Sequence, residues 1–81
     1  MIVLFERSFF KSLDKLDDNL LKARIKTLID SMEKADAIVE LTQIKAMKGY
    51  TGFYRIRLGD YRVGFEITEN NEISLLLVAH H

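Results

Sequence analysis

The chain has 81 residues, no cysteine, no proline and a formal net charge of zero. That length supports one small domain, and a hydrophobic share of 48% is enough for a single core. The absence of cysteine excludes disulfides and thiolate metal centres, and the absence of proline with only four glycines leaves no linker or low-complexity segment.

The opening run Ile2–Phe5 reads as a short strand. It is charged too soon, at Glu6 and Arg7, to be a signal peptide or a membrane span, so the expectation is a cytoplasmic protein with no membrane contact. Ser8 is the candidate cap of a first helix carrying Phe9, Phe10, Leu13 and Leu16. Asp17 or Asp18 ends that helix and caps the next. The second helix is the clearest element: Leu21, Ile25, Leu28, Ile29 and Met32 form one apolar stripe, with Lys22, Arg24, Lys26 and Asp30 mostly off it. The two helices form a helical hairpin.

Residues 34–44 fit a helix tail, a loop or both, with Ile38, Leu41 and Ile44 tucked under a sheet. Gly49 and Gly52 bracket a turn. Phe53–Leu58, Tyr61–Thr68 and Ile73–His80 read as three strands, joined by tight turns at Gly59-Asp60 and Glu69–Glu72. The order β-α-α-β-β-β predicts an α+β fold, in which a strand and a helical hairpin pack on one face of a mainly antiparallel sheet.

The zero net charge is a cancellation between blocks. Residues 45–62 hold five cations, Lys45, Lys48, Arg55, Arg57 and Arg62, against one acid, Asp60. Residues 30–44 and 63–81 are acidic. Strand alternation puts Tyr54, Ile56 and Leu58 on one face with Tyr61, Val63, Phe65 and Ile67, and puts Arg55, Arg57 and Arg62 together on the other. A neutral chain that gathers its arginines on one patch of sheet predicts an anionic partner. Gly64 shares that face and leaves room beside Arg62 for a close-approaching ligand. The third strand is apolar on both sides and so is expected in the centre of the sheet, and it ends in His80 and His81. Each of these residues also has a plainer reading. The arginines can be solvated or paired with Glu66, Lys45 and Lys48 can belong to a solvated turn, and the terminal histidines can be frayed.

The pattern Lys45–Gly49, then Gly52–Val63 with its Tyr-Arg-Ile-Arg-Leu-Gly-Asp-Tyr-Arg-Val block, then the apolar strand Ile73–Ala79, resembles the RelE/ParE superfamily of bacterial toxins over essentially the whole chain. The resemblance implies a single toxin domain over residues 1–81, apparently without the family's short C-terminal tail and its tyrosine. It also implies a toxin–antitoxin hetero-oligomer with a cognate antitoxin, and no cofactor or metal. In the RelE-like branch it implies a ribosome-dependent mRNA endoribonuclease with mRNA and 16S rRNA contacts. In the ParE-like branch it implies a DNA gyrase poison with no nuclease chemistry. For the nuclease branch, Arg55 and Arg57 match basic positions of the site and Arg62 matches the one at the reacting phosphate. His81 stands where an arginine is usual, and His80 at a position often basic.

Metal-independent RNA cleavage needs an aligned 2′-hydroxyl, cations on the phosphate oxygens and a proton for the 5′-oxygen. Arginine suits the second task through its planar fork. Arg57 and Arg62 are therefore the catalytic candidates. Arg55, Lys45 and Lys48 are the candidates for flanking phosphates or rRNA, and His80 or His81 for the proton donor. The general base is unassigned.

Overall fold

The computed structural model describes residues 1–80. Strand β1 (Val3–Phe5) leads into helices α1 (Arg7–Leu16) and α2 (Asn19–Lys34). A single 3-10 turn at Ile38–Glu40 follows, then β2 (Ile44–Ala46), β3 (Phe53–Leu58), β4 (Tyr61–Ile67) and β5 (Ile73–His80). The α+β arrangement is the one expected, with one strand more. The three residues of β2 pair antiparallel with β3, Lys45 facing Arg55, in the region where the sequence is ambiguous.

The sheet order is β1-β5-β4-β3-β2. Only β1 runs parallel to its neighbour, β5, and all other pairs are antiparallel. The doubly apolar β5 is therefore flanked on both sides along its first half, as expected for a strand buried on both faces. Both helices lie on one face. Phe9 from α1 and Leu21, Ile25 and Met32 from α2 meet Ile56, Val63, Phe65, Ile73, Leu75 and Val78 of the sheet in one buried cluster. Val63, Phe65, Ile73, Leu75 and Met32 have no exposed surface, so the core is a layer between hairpin and sheet.

The turn between the helices uses both aspartates. Asp17 takes a left-handed conformation (φ 42°) at the end of α1, and the Asp18 carboxylate accepts the Leu21 N–H at 3.0 Å as the N-cap of α2. Asp18 also accepts the Tyr61 hydroxyl at 3.1 Å, which ties the start of β4 to the helical corner. Ser8 does not cap α1. That position falls to Glu6, without a side-chain bond. The Ser8 hydroxyl instead donates to the Leu76 carbonyl at 2.6 Å, and the Ser12 hydroxyl accepts the Val78 N–H at 2.9 Å. β1 stops pairing at Leu75, so these two hydroxyls satisfy backbone groups on the part of the β5 edge that β1 is too short to cover.

The other irregularity is a bulge. Phe65 faces Leu75 but Gly64 faces Leu77, leaving Leu76 as an extra residue in β5. From that point β5 changes phase. Leu77 and Ala79 turn to the helix-free face, and Val78 and His80 to the helix side.

The Leu21 amide is the main cause, and the Tyr61 hydroxyl the next, that hold the Asp18 carboxyl below its ordinary value of 3.8; the same bond raises the Tyr61 hydroxyl. A depressed carboxyl pKa contributes stability that is present above the unfolded value and lost as pH falls through the folded one. We therefore expect Asp18→Asn, which keeps a capping acceptor but removes the charge, to lower the urea midpoint at neutral pH and to flatten its decline as pH falls below the ordinary carboxyl value of 3.8, read by circular dichroism. An unchanged acid limb would show that Asp18 is not the linked group.

Candidate nucleic-acid interface

The helix-free face is organised in rows across paired strands. One row runs Lys45, Arg55, Gly64, Leu77; the next places Arg57 opposite Arg62 and Arg62 opposite Ala79. Lys45–Arg55 and Arg57–Arg62 are thus two directly opposed pairs of like charge. Side chains so placed have their Cβ atoms about 5 Å apart, and like charges there are destabilising by roughly 0.2–1 kcal/mol. The four cations, with Gln43 and Ile44, line a depression of about 330 Å³ that contains no acidic residue. That size lies at the small end of ligand clefts, about 300–1,000 Å³, and suits an anionic group of the size of a phosphate with its neighbours.

The acid of β4 on this face, Glu66, is displaced along the strand. Glu66 faces Phe53 and Ser74. It lies four residues from Arg62, about 13 Å along β4, and on the diagonal from Arg55, the cation it is best placed to attenuate. Arg57 donates from Nε to the Gly59 carbonyl at 3.3 Å, which draws its guanidinium toward the hairpin turn.

The structure brings together four of the seven residues named from the sequence: Lys45, Arg55, Arg57 and Arg62. Lys48 lies in the β2–β3 loop, beyond the Phe53 end of the hairpin and outside the depression. His80 is not on the arginine face. It stands opposite Tyr61 on the helix side, with the two rings edge to face at 5.1 Å, because the Leu76 bulge reverses the phase of the strand end. His81 lies outside the described residues. The space expected at Gly64 is also taken: a Cβ there would meet Leu77 Cγ at 3.5 Å, an ordinary contact, so Leu77 leans over the glycine and no ligand-sized gap remains. Gln43 was not singled out from the sequence. It holds φ 62° and its carbonyl accepts the Arg57 N–H at 3.3 Å, which extends the β2–β3 pairing by one position and puts its side chain on the rim. A left-handed non-glycine residue has no simple sequence mark.

Among the described residues no group of three or more His, Cys, Asp or Glu is placed to hold a metal ion, and no helix is long and apolar enough to cross a membrane.

Both the sequence and the fold match those of known toxins. The family model of the ParE toxin of type II toxin–antitoxin systems, parDE, matches residues 3–81. Toxin RelE3 of Methanocaldococcus jannaschii is 40% identical over 68 residues, covering 83% of this chain and 76% of the relative. Among solved structures, the RelB–RelE antitoxin–toxin complex from Methanococcus jannaschii superimposes with a TM-score of 0.83 at 34% identity, over 95% of this chain and 88% of that one. The archaeal RelE–RelB complex from Pyrococcus horikoshii OT3 has the same fold, with a TM-score of 0.76 at 24% identity, over 98% and 92%. The chain belongs to the RelE/ParE superfamily, as a RelE-like toxin of a type II toxin–antitoxin system.

The opposed like charges predict a stability effect. Lys45→Gln removes one repulsion on an edge strand and is expected to raise the melting temperature by a few degrees at about 10 mM salt, since about 1 kcal/mol corresponds to roughly 4–8 °C for a domain of this size. The gain should vanish near 1 M salt, where the Debye length is about 3 Å. A drop in melting temperature at low salt would show that the lysine is already compensated.

Proposed function

We propose that this toxin is an mRNA endoribonuclease acting on the ribosome and held inactive by a cognate antitoxin. The observation that carries the reading is the pair of like-charged cross-strand contacts on the helix-free face, Lys45–Arg55 and Arg57–Arg62. Four cations line one depression whose lining holds no acid, and such a surface complements a polyanion.

In this reading the scissile phosphate lies over Arg57 and Arg62. Their guanidinium forks neutralise the charge that grows on its oxygens as the 2′-hydroxyl attacks the phosphorus and the 5′-oxygen departs. Lys45 and Arg55, one row away, hold the flanking phosphate. Lys48, outside the depression, is assigned to rRNA rather than to the substrate. His80 points to the helix side, which leaves His81 as the histidine assigned to protonate the leaving oxygen. The base that takes the 2′-hydroxyl proton is unassigned. The antitoxin partner is inferred from the relatives whose solved structures are antitoxin–toxin complexes.

The family match to the ParE toxin favours a second reading on the same fold, a gyrase poison. One experiment separates the two. In a translation reaction followed by primer extension, the chain should produce cuts within A-site codons. Arg62→Ala should lower cleavage by about 10²–10³, the usual loss when one preorganised donor is removed, with its circular dichroism unchanged. Cutting by Arg62→Ala at the parent rate would overturn the assignment of that arginine. Intact mRNA together with loss of gyrase supercoiling would move the function to the second reading.

A further inference from the structure

A second concavity lies around the edge of the sheet from the arginine face, between α2 and the β3–β4 hairpin, with a volume of about 970 Å³. That is at the upper end of ligand clefts. Its polar side chains are Arg24 and Thr27 of α2, Thr42 and Gln43 of the connecting segment, and Arg57 and Asp60 of the hairpin. Two of these, Gln43 and Arg57, also line the depression on the sheet face. The two concavities are therefore one continuous surface folded over a ridge made of Gln43 and Arg57.

Two guanidinium groups converge on one residue in this groove. Arg57 Nε donates to the Gly59 carbonyl at 3.3 Å. From the other side, Arg24 lies so close over Gly59 that a Cβ there would collide with its guanidinium. The φ of 64° at Gly59 suits the first position of a two-residue hairpin loop, and the guanidinium end of Arg24 lies over the space a side chain there would take. The Thr42 hydroxyl on the rim is a donor of the kind that contacts phosphate oxygens, while the Thr27 hydroxyl donates to the Ala23 carbonyl at 3.3 Å and can only accept from the groove. Asp60 is the single acid in the lining against the two arginines.

We propose that this groove receives the phosphodiester next to the one held on the sheet face, so that the RNA strand bends over the Gln43–Arg57 ridge and is gripped by Arg57 from both sides and by Arg24 at the far end. This rests on the reading of the sheet face as an RNA site. The bend has a physical rationale: successive phosphates on a single strand are flexible, and a strand drawn around a ridge exposes the linkage at its apex to the groups on either side. Arg24 is a positioning residue in this scheme, since it touches the strand away from the reacting phosphate.

The test uses the full 81-residue chain and an uncleavable 2′-O-methyl hexaribonucleotide at about 50 mM salt, followed by amide chemical shifts and by fluorescence anisotropy. Two sets of amides should shift together: Arg55, Gly64 and Leu77 for the sheet face, and Thr27, Thr42 and Gly59 for the groove. Arg24→Gln should abolish the groove shifts, keep the sheet-face shifts, weaken binding about 3- to 10-fold and reduce the salt slope by about 1. A dinucleotide should bind Arg24→Gln and the parent chain equally. Shifts confined to the sheet face, or equal hexanucleotide affinity for both chains, would overturn the groove and leave the sheet-face reading standing. Shifts confined to the groove would overturn the sheet-face reading and, with it, the bent path, and absence of any shift would overturn both. A glutamate hexapeptide that fills the groove where the oligonucleotide does not would overturn the proposal in favour of an acidic protein partner.

Discussion

The single extra residue at Leu76 decides which side chains of β5 belong to the core and which to the functional face. Before it, Ile73 and Leu75 pack against the helices; after it, Val78 does and His80 points to the same side beside Tyr61, while Leu77 and Ala79 cross to the helix-free face. A one-residue slip in a strand exchanges every following side chain between faces, so the bulge needs to be held. The holding groups come from α1: Ser8 donates to the carbonyl of the bulged residue itself and Ser12 accepts the Val78 amide. The helix that supplies Phe9 to the core thus also completes the hydrogen bonding of the sheet edge. Packing and register are fixed by the same element.

That constraint explains the character of the basic face. Beside the cations, Gly64 is covered by Leu77, which gives the face an apolar stretch on the β5 side. Charges beside a low-dielectric surface interact more strongly with an approaching anion than the same charges in open water. The repulsion within Lys45–Arg55 and Arg57–Arg62 is increased by the same environment. The two effects have one source, and the chain carries a modest folding cost in exchange for a surface whose field is present before any ligand arrives. Lys45 has a further effect, since a lysine on an outer strand opposes strand addition by other chains.

Much of this was legible in the sequence because it depends on alternation and on caps. The faces of β3 and β4 follow from Ile56, Val63 and Phe65, and the Asp17-Asp18 turn from two residues with side chains suited to helix ends. What was not legible depends on partners distant in the chain. β2 has three residues and exists only because β3 is beside it. The bulge lies within Leu75-Leu76-Leu77-Val78, where four aliphatic residues give no sign of a phase change, so nothing in the sequence marks that His80 turns to the helix side. Ser8 has the composition of a cap but is placed as the second residue of α1, where its hydroxyl meets the sheet. Arg24 is off the apolar stripe of α2 and reads as a solvated charge until the hairpin is seen to pass beneath it.

The arginines sit on paired strands rather than on loops, and this limits how they can move relative to one another. Arg57 and Arg62 are separated by only four residues, and the two-residue Gly59-Asp60 turn sets their register. A slip of one residue between β3 and β4 would turn one strand over, carrying Arg57 or Arg62 toward the core and bringing Ile56 or Val63 out into water. Burying a guanidinium while exposing an aliphatic side chain is far costlier than the repulsion between the arginines. The hydrophobic core therefore enforces the spacing of the two backbone positions, and in the proposed function a phosphate held by both arginines meets anchor points fixed by that packing. Placement at that precision is what in-line attack on a phosphorus requires.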